Sequence, residues 1–499
     1  MSYITKSIEI ILKLKATLWS DNILGKSLRG GSILATGSII ENFLRFARNV
    51  ILARLLAPEA FGLMATVLAV VAVMEAFTEV GLRQSVIQHK HGSEDLFTNI
   101  VWWMSSCRGF VLYVIGFLAA PFICDFYQKP EMLLLIRVGF LSILFNGFIS
   151  PKVHVLEKEM RFKGWVFLMQ GSGIMGVIIT MAIAFFFQNV WALVIGFTAE
   201  SFLRSSLSFI FYPIKPSLKF DKLFFSDIFT FSKKMFGLPI LMLLFVQTDI
   251  FVIGKVLSMA ALGMYALAKS LAEIPNTFLS KALSPILLPT LAQIQDDKDK
   301  LKANILLLTK WTMAIGLPLI SFFVFFANPI LSVIYGPKYA AVAVPFALLS
   351  IYNLISICAT FPMFVFIAIG QPDIQRSASF MRTALFLIII YPAIYFGELI
   401  GAAAAVLFSM LTQLAVAIIY LKRLLHITNM EYFASWSVGI KPSLIVILPG
   451  ILLNTLMQLN PLTTFILGII LCCISWIYAI LKELMVKTNK TVSVSQQSK

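Results

Sequence analysis

Long apolar runs separated by short polar connectors constrain this chain more than any other feature of its sequence. About 20 mostly apolar residues suffice for a helix to cross the hydrocarbon core of a bilayer. Hydrophobic residues fill 59% of the 499 positions and charged residues only 13%, about half the share in soluble domains. The pattern predicts an all-α integral membrane protein with fourteen spanning helices, at residues 31–53, 60–82, 97–122, 131–150, 164–187, 190–211, 229–252, 262–288, 304–327, 340–369, 376–396, 399–421, 441–459 and 462–481.

The distribution of Lys and Arg supports this count and gives an orientation. If the N-terminus is cytoplasmic, 28 of the 40 basic residues fall in cytoplasmic connectors or at the cytoplasmic ends of the adjoining spans, and 4 fall in outer connectors. Cytoplasmic loops of membrane proteins carry such an excess, so both termini are predicted to be cytoplasmic. This topology also accounts for the net charge of +16 without a nucleic-acid partner.

Two stretches 201 residues apart repeat one helix–turn–helix pattern. Residues 51–65 read ILARLLAPEAFGLMA and residues 252–266 read VIGKVLSMAALGMYA, with Arg54 opposite Lys255. Six predicted spans separate them, so the two copies have the same orientation and are related by an axis along the membrane normal. The sequence therefore predicts two six-helix lobes that have the same orientation in the membrane, followed by two extra helices.

This repeat predicts a division of the chain into six parts. The segment between the lobes carries two prolines and several lysines, a composition that suits a cytoplasmic hinge. The predicted parts are a cytoplasmic or interfacial segment at 1–30, an N-lobe at 31–211, a linker at 212–228, a C-lobe at 229–425, two further spans within 440–485 and a tail at 486–499.

Ionisable residues inside the predicted spans are the candidate functional residues. A charged side chain at mid-bilayer costs at least ~2.5–3.5 kcal/mol on insertion scales and therefore needs a cavity, a partner or the interface. Guanidinium groups match the oxygens of phosphate. A water-filled chamber between the lobes is therefore predicted to bind an anionic head group through five cations: Arg45, Arg48, Arg108, Arg204 and Lys269.

A second interpretation is that these charges only neutralise one another inside packed helices. Glu41 precedes Arg45 by four residues, and Glu200 precedes Arg204 by the same interval, so each pair shares a helix face. Lys269 and Glu273 are also four residues apart, and Asp249 occupies the place of Arg48 in the repeat. A further stripe of this kind consists of Glu75, Glu79 and Arg83.

Motifs of enzymes are missing from the sequence. There is no phosphate-binding loop of the Walker type, no G-x-G-x-x-G turn and no pair of histidines with metal spacing. The sequence predicts a protein that is not an enzyme, without catalytic residues or a metal.

Five segments resemble the polysaccharide-exporter branch of the multidrug/oligosaccharidyl-lipid/polysaccharide exporter superfamily: LARLLAPEAFGL, EVGLRQSVIQHK, DFYQKPEM, QTDIFVIGKVLSMAALGMYALAKSLAEIP and SPILLPTLAQIQDD. The similarity runs from about residue 30 to 425 and is closest to lipopolysaccharide, exopolysaccharide and O-antigen flippase-like proteins. It implies two lobes in a V around a central cavity, in the bacterial inner membrane. It also implies alternating access that moves an undecaprenyl-diphosphate-linked oligosaccharide to the outer leaflet.

The resemblance also implies roles for individual residues. Basic cavity residues bind the diphosphate or acidic sugars in such relatives, and by location Arg45, Arg48 and Lys269 would do so here. Coupling to H+ or Na+ occurs in the superfamily, and no other cofactor is implied; the candidate acids are Glu41, Asp249 and Glu273. Implied partners are the polyprenyl-diphosphate-linked oligosaccharide, membrane lipids and polysaccharide polymerase or assembly proteins.

Three other functions fit parts of the pattern. A lipid II flippase for peptidoglycan also has fourteen spans. A cation-coupled multidrug antiporter of the MATE type has twelve spans and exports cations, for which a basic cavity is a poor lining. A membrane polymerase or ligase of sugar chains usually carries a large outer loop, whereas every predicted outer connector here is short.

Overall fold

The computed structural model describes residues 23–76, 81–219, 221–235, 238–456 and 460–497. All regular structure within these ranges is helical, which confirms the all-α prediction. Most of the predicted segment 1–30, together with Glu79, lies outside the described residues.

The chain divides into two compact units, of which unit 1 extends to Leu243 and unit 2 begins at Leu244. Nine helices of the described residues lie entirely within unit 1. They are α1 (Ile23–Leu55), α2 (Pro58–Ala76), α3 (Leu82–Gln88), α4 (Asp95–Tyr127), α5 (Met132–Gly147), α6 (Lys152–Lys158), α7 (Phe162–Phe186), α8 (Trp191–Phe211) and α9 (Lys222–Met235).

The next helix, α10 (Leu238–Val256), contains the boundary between the units, and the others belong to unit 2. They are α11 (Met259–Ala272), α12 (Ile274–Ala292), α13 (Lys298–Phe325), α14 (Ala327–Ile334), α15 (Ala343–Ala368), α16 (Pro372–Leu425), α17 (Asn429–Ala434), α18 (Ser437–Leu456) and α19 (Pro461–Gln497). A 3-10 turn at Pro337–Val342 precedes α15.

Nine stretches of helix in the described part are long and apolar enough to cross a membrane, and a bent pair formed by α5 and α6 would make a tenth. The chain is therefore a multi-pass membrane protein. The longest helix, α16, covers two predicted spans and breaks between them at Glu398, where φ is 47°. A bulky residue rarely adopts such a backbone conformation, and this break separates the two predicted spans. The total of fourteen spans stays a prediction.

The two repeated corners fold in the same register. In unit 1, α1 ends at Leu55 and α2 begins at Pro58; 201 residues later, α10 ends at Val256 and α11 begins at Met259. Their helix starts differ in chemistry. Ser258 caps α11 by accepting a bond from the Ala261 amide at 3.1 Å, whereas α2 starts with proline, which has no amide hydrogen to satisfy.

The first half of the predicted linker is fixed to unit 1. The Asn99 amide donates to the Ser217 carbonyl at 2.8 Å and accepts from the Ser217 amide at 2.8 Å. The Trp103 indole donates to the same carbonyl at 2.9 Å. The helix that follows, α9, buries Ile228 against α3 and α4. A hinge between the units would therefore have to lie beyond this segment.

Candidate functional site

Four charged side chains of unit 1 form a neutral network between α1 and α8. Arg45 Nη2 lies 2.9 Å from Glu41 Oε1 and 2.8 Å from each carboxylate oxygen of Glu200. Arg204 Nη2 lies 2.6 Å from Glu200 Oε1. The four-residue spacing places both members of each same-helix pair on one face. The contact between Arg45 and Glu200, 155 residues apart, joins the two helices.

A third helix, α7, packs against this network through glycine. A methyl group at Gly176 would lie 2.7 Å from Glu200 Cβ, and one at Gly173 would lie 2.6 Å from Glu41 Oε1. Both distances are too short for a real side chain. The sequence GSGIMG on α7 therefore leaves the space that the two acids occupy.

Arg48 lies almost one turn beyond Arg45 on α1 and differs from it in its partners. Its Nε and Nη2 donate to the Asn49 side chain at 3.2 and 3.0 Å. Among the described residues, no carboxylate lies within ion-pairing distance of it. Arg48 therefore adds a positive charge to a network that is otherwise neutral.

Unit 1 also encloses a cavity of about 280 Å³, to which α2 to α8 all contribute. Arg108 and Arg204 both line it, so the structure brings two of the predicted cations to one space. Arg83 lies at its edge and donates to Glu157 at 2.6 and 2.9 Å. The lining also contains the acid Glu75, so the cavity has a polar wall that carries charges of both signs.

Unit 2 has a different arrangement, in which Asp249 of α10 meets Lys269 of α11. Lys269 Nζ lies 2.7 Å from Asp249 Oδ2 and 3.1 Å from the Val246 carbonyl oxygen. The Tyr265 hydroxyl donates to the same carboxylate oxygen at 3.0 Å. Asp249 is fully buried. In this conformation the charge of Lys269 is neutralised within the protein.

Glu273 follows Lys269 by one turn, at the junction of α11 and α12. It is half-buried, and no basic group of the described residues lies within ion-pairing distance of it. Glu273 therefore adds a negative charge to unit 2, as Arg48 adds a positive one to unit 1.

Sequence reasoning missed two features of these networks. The first is the central place of Glu200, which holds Arg45 as well as Arg204. The glycines of α7, of which Gly176 packs against Glu200, were the signal available in the sequence. The second is Tyr265, four residues before Lys269, which completes the hydrogen bonding of Asp249.

Ionised groups inside the helical bundles of a multi-pass membrane protein mark candidate sites for a substrate or an ion. The sequence pattern of the polysaccharide biosynthesis protein family matches residues 51–344. Because this match covers more than half of the chain, the protein belongs to that family. The resemblance to the polysaccharide-exporter branch is thereby confirmed.

Individual relatives agree with this assignment. The lipopolysaccharide biosynthesis protein WzxC of Escherichia coli (strain K12) is 24% identical over 392 residues, which cover 78% of this chain and 79% of the relative. The succinoglycan biosynthesis transport protein ExoT of Rhizobium meliloti (strain 1021) is 25% identical over 320 residues, 64% of each chain.

Among solved structures, the lipid II flippase MurJ in an inward closed conformation has a similar fold. The TM-score is 0.74 at 14% sequence identity, covering 91% of this chain and 100% of that chain. At this identity the similarity establishes the fold and not the substrate.

Proposed function

We propose that the protein is a flippase that moves an undecaprenyl-diphosphate-linked oligosaccharide across the bacterial inner membrane for the synthesis of a surface polysaccharide. Membership of the polysaccharide biosynthesis family supports this function, as do relatives named for lipopolysaccharide and succinoglycan synthesis. The MurJ-like fold supports alternating access as the mechanism, since it is the fold of a flippase. None of these relationships points to catalysis.

The proposed topology has fourteen spans, both termini in the cytoplasm, and two six-helix lobes followed by two helices. The uneven distribution of basic residues, the matching corners at Leu55 and Val256 and the break in α16 support it. The proposed lobes extend over residues 31–211 and 229–425, joined by the linker at 212–228.

The proposed substrate chemistry rests on one observation, which is the lack of a carboxylate partner for Arg48 among the described residues. Among the five predicted cations, Arg45, Arg204 and Lys269 are held by carboxylates, whereas Arg48 bonds to an asparagine side chain and to no carboxylate of the described residues. A guanidinium that is not neutralised attracts a diphosphate group. We therefore assign first contact with the diphosphate to Arg48, and the cavity lined by Arg108 and Arg204 to the same anion.

Coupling to H+ or Na+ would use an acid with oxygens available for a cation. Glu41 and Asp249 already accept bonds from Arg45 and Lys269. Glu273 has no such ion pair among the described residues, which supports it as the coupling acid. The proposed partners are membrane lipids and the polymerase or assembly proteins that take up the exported unit.

The test is Arg48→Ala in the native host, compared with Arg54→Ala. Arg54 lies on the same helix, near its end, and is exposed. Arg48→Ala is expected to abolish surface polysaccharide and to leave lipid-linked oligosaccharide on the cytoplasmic side, with the protein still in the membrane. Arg54→Ala is expected to export normally. Normal export by a membrane-inserted Arg48→Ala variant would refute the role of Arg48.

A deletion strain of the same host distinguishes the proposed function from the other candidates. Deletion of a lipid II flippase blocks peptidoglycan synthesis, whereas deletion of a surface polysaccharide flippase leaves viable cells with altered surface sugar. Increased sensitivity of the deletion strain to cationic drugs, with unchanged surface sugar, would favour a multidrug antiporter instead.

A further inference from the structure

Glu200 occupies the centre of the unit 1 network and holds two arginines with one carboxylate. Both of its oxygens accept from Arg45, and Oε1 also accepts from Arg204. Its side chain is only 10% exposed, so water screens these contacts weakly. The two guanidinium groups are therefore bound to an anion that belongs to the protein itself.

The surroundings of Glu200 keep its carboxylate in this place. Gly176 on α7 packs against its Cβ, and Ser172 on the same helix accepts from Arg204 Nε at 3.3 Å. Glu41 binds Arg45 from the opposite direction along α1 and is more exposed, at 18%. Glu200 is thus the less exposed acid and the one shared by both arginines.

A carboxylate and a phosphate present similar oxygens to a guanidinium group. A diphosphate that approaches Arg45 or Arg204 is therefore repelled by Glu200 and competes with it for the same positive charge. We propose that Glu200 is an internal counter-ion that competes with the substrate's diphosphate for Arg45 and Arg204. It acts as a positioning residue: it holds both arginines in place before substrate arrives and weakens substrate binding enough to permit release. The identity of the anion rests on the proposed function; the competition itself does not.

The test measures binding of inorganic pyrophosphate to the purified full-length chain by calorimetry at low ionic strength. Glu200→Gln keeps the side-chain size and removes the charge, so Kd is expected to fall about tenfold. Glu200→Asp keeps the charge on a shorter side chain that does not reach both arginines, and Kd is expected to fall about threefold. Both gains should shrink in an Arg45→Ala background and disappear when Arg45→Ala and Arg204→Ala are combined.

A purely structural role gives a different result. Glu200→Gln and Glu200→Asp would then lower the unfolding temperature without lowering Kd. A Kd at or above the wild-type value in either variant overturns the proposal, as does a lack of measurable pyrophosphate binding by all of these proteins. Because pyrophosphate carries neither lipid nor sugar, this result is independent of the export test on Arg48→Ala.

Discussion

Units 1 and 2 place charge at equivalent positions of a repeated corner, with opposite sign and different partners. Arg48 on α1 and Asp249 on α10 are 201 residues apart and match in the repeat. The arginine adds positive charge to a neutral network that reaches the sixth predicted span, α8. The aspartate is paired by Lys269 from the adjacent helix, α11. The corner is therefore the same in both units, while the charges beside it differ.

This difference in charge suggests divided roles. Unit 1 has an excess cation in Arg48 and a polar cavity lined by three further arginines, which would suit the proposed anionic substrate. Unit 2 has a closed ion pair and an excess acid in Glu273, which suits a coupling cation.

The largest effect is expected from Asp249→Ala, which leaves the ammonium group of Lys269 buried without its anion. Removing one partner of a buried ion pair costs about 3–5 kcal/mol, and Asp249 is fully buried. The free energy of unfolding, followed in detergent by denaturant titration, should fall by an amount in that range. Asp249→Ala with Lys269→Ala should recover much of the loss. Equal stability of the single variant and the wild type would show that the pair is dispensable to unit 2.

A smaller effect is expected where unit 1 depends on glycine. Gly176→Ala places a methyl group 2.7 Å from Glu200 Cβ, and such overpacking costs about 1–3 kcal/mol. Gly171 is the matched control on the same helix, since nothing lies within 4 Å of an added methyl group there. Gly171→Ala should be neutral or slightly stabilising, because alanine favours helix over glycine. Thermal unfolding of the two variants side by side tests this; equal effects would contradict the proposed packing of α7.

The smallest effect on stability is expected from the residues that precede α11 and α2, where the two corners differ. Ser258→Ala removes the side-chain cap of α11 and should cost about 0.5–1 kcal/mol. The equivalent position in the first corner is Ala57, which has no cap to lose, so Ala57→Gly should change stability by only a few tenths of a kcal/mol. Hydrogen exchange at the first turns of α11 and α2 measures both. A comparable loss at both corners would mean that capping does not distinguish them.

The sequence predicts those features that depend on local periodicity. Apolar runs predicted the helices, and the two motifs 201 residues apart predicted corners that do end and begin in the same register. The spacing of Glu41 with Arg45, and of Glu200 with Arg204, predicted two ion pairs that the structure contains.

Ion-pair partners that lie on a different helix could not be predicted from the sequence in this way. Which acid reaches Arg45 across the bundle, or which base neutralises Asp249, depends on how helices rotate and pack, and helical periodicity carries no such information. Lys269 was expected to face substrate, yet in this conformation Asp249 holds it at 2.7 Å. The roles of the five cations and three acids in transport are proposals, and the export test above decides that of Arg48.

The most direct test of the account is translocation by the purified protein in vesicles that contain a fluorescent undecaprenyl-diphosphate-linked oligosaccharide. Access of a membrane-impermeant reagent to the sugar measures the movement between leaflets. The wild type should move the lipid, Arg54→Ala should match it, and Arg48→Ala should not exceed protein-free vesicles. Equal rates for wild-type and protein-free vesicles, with the protein correctly inserted, would contradict the flippase function.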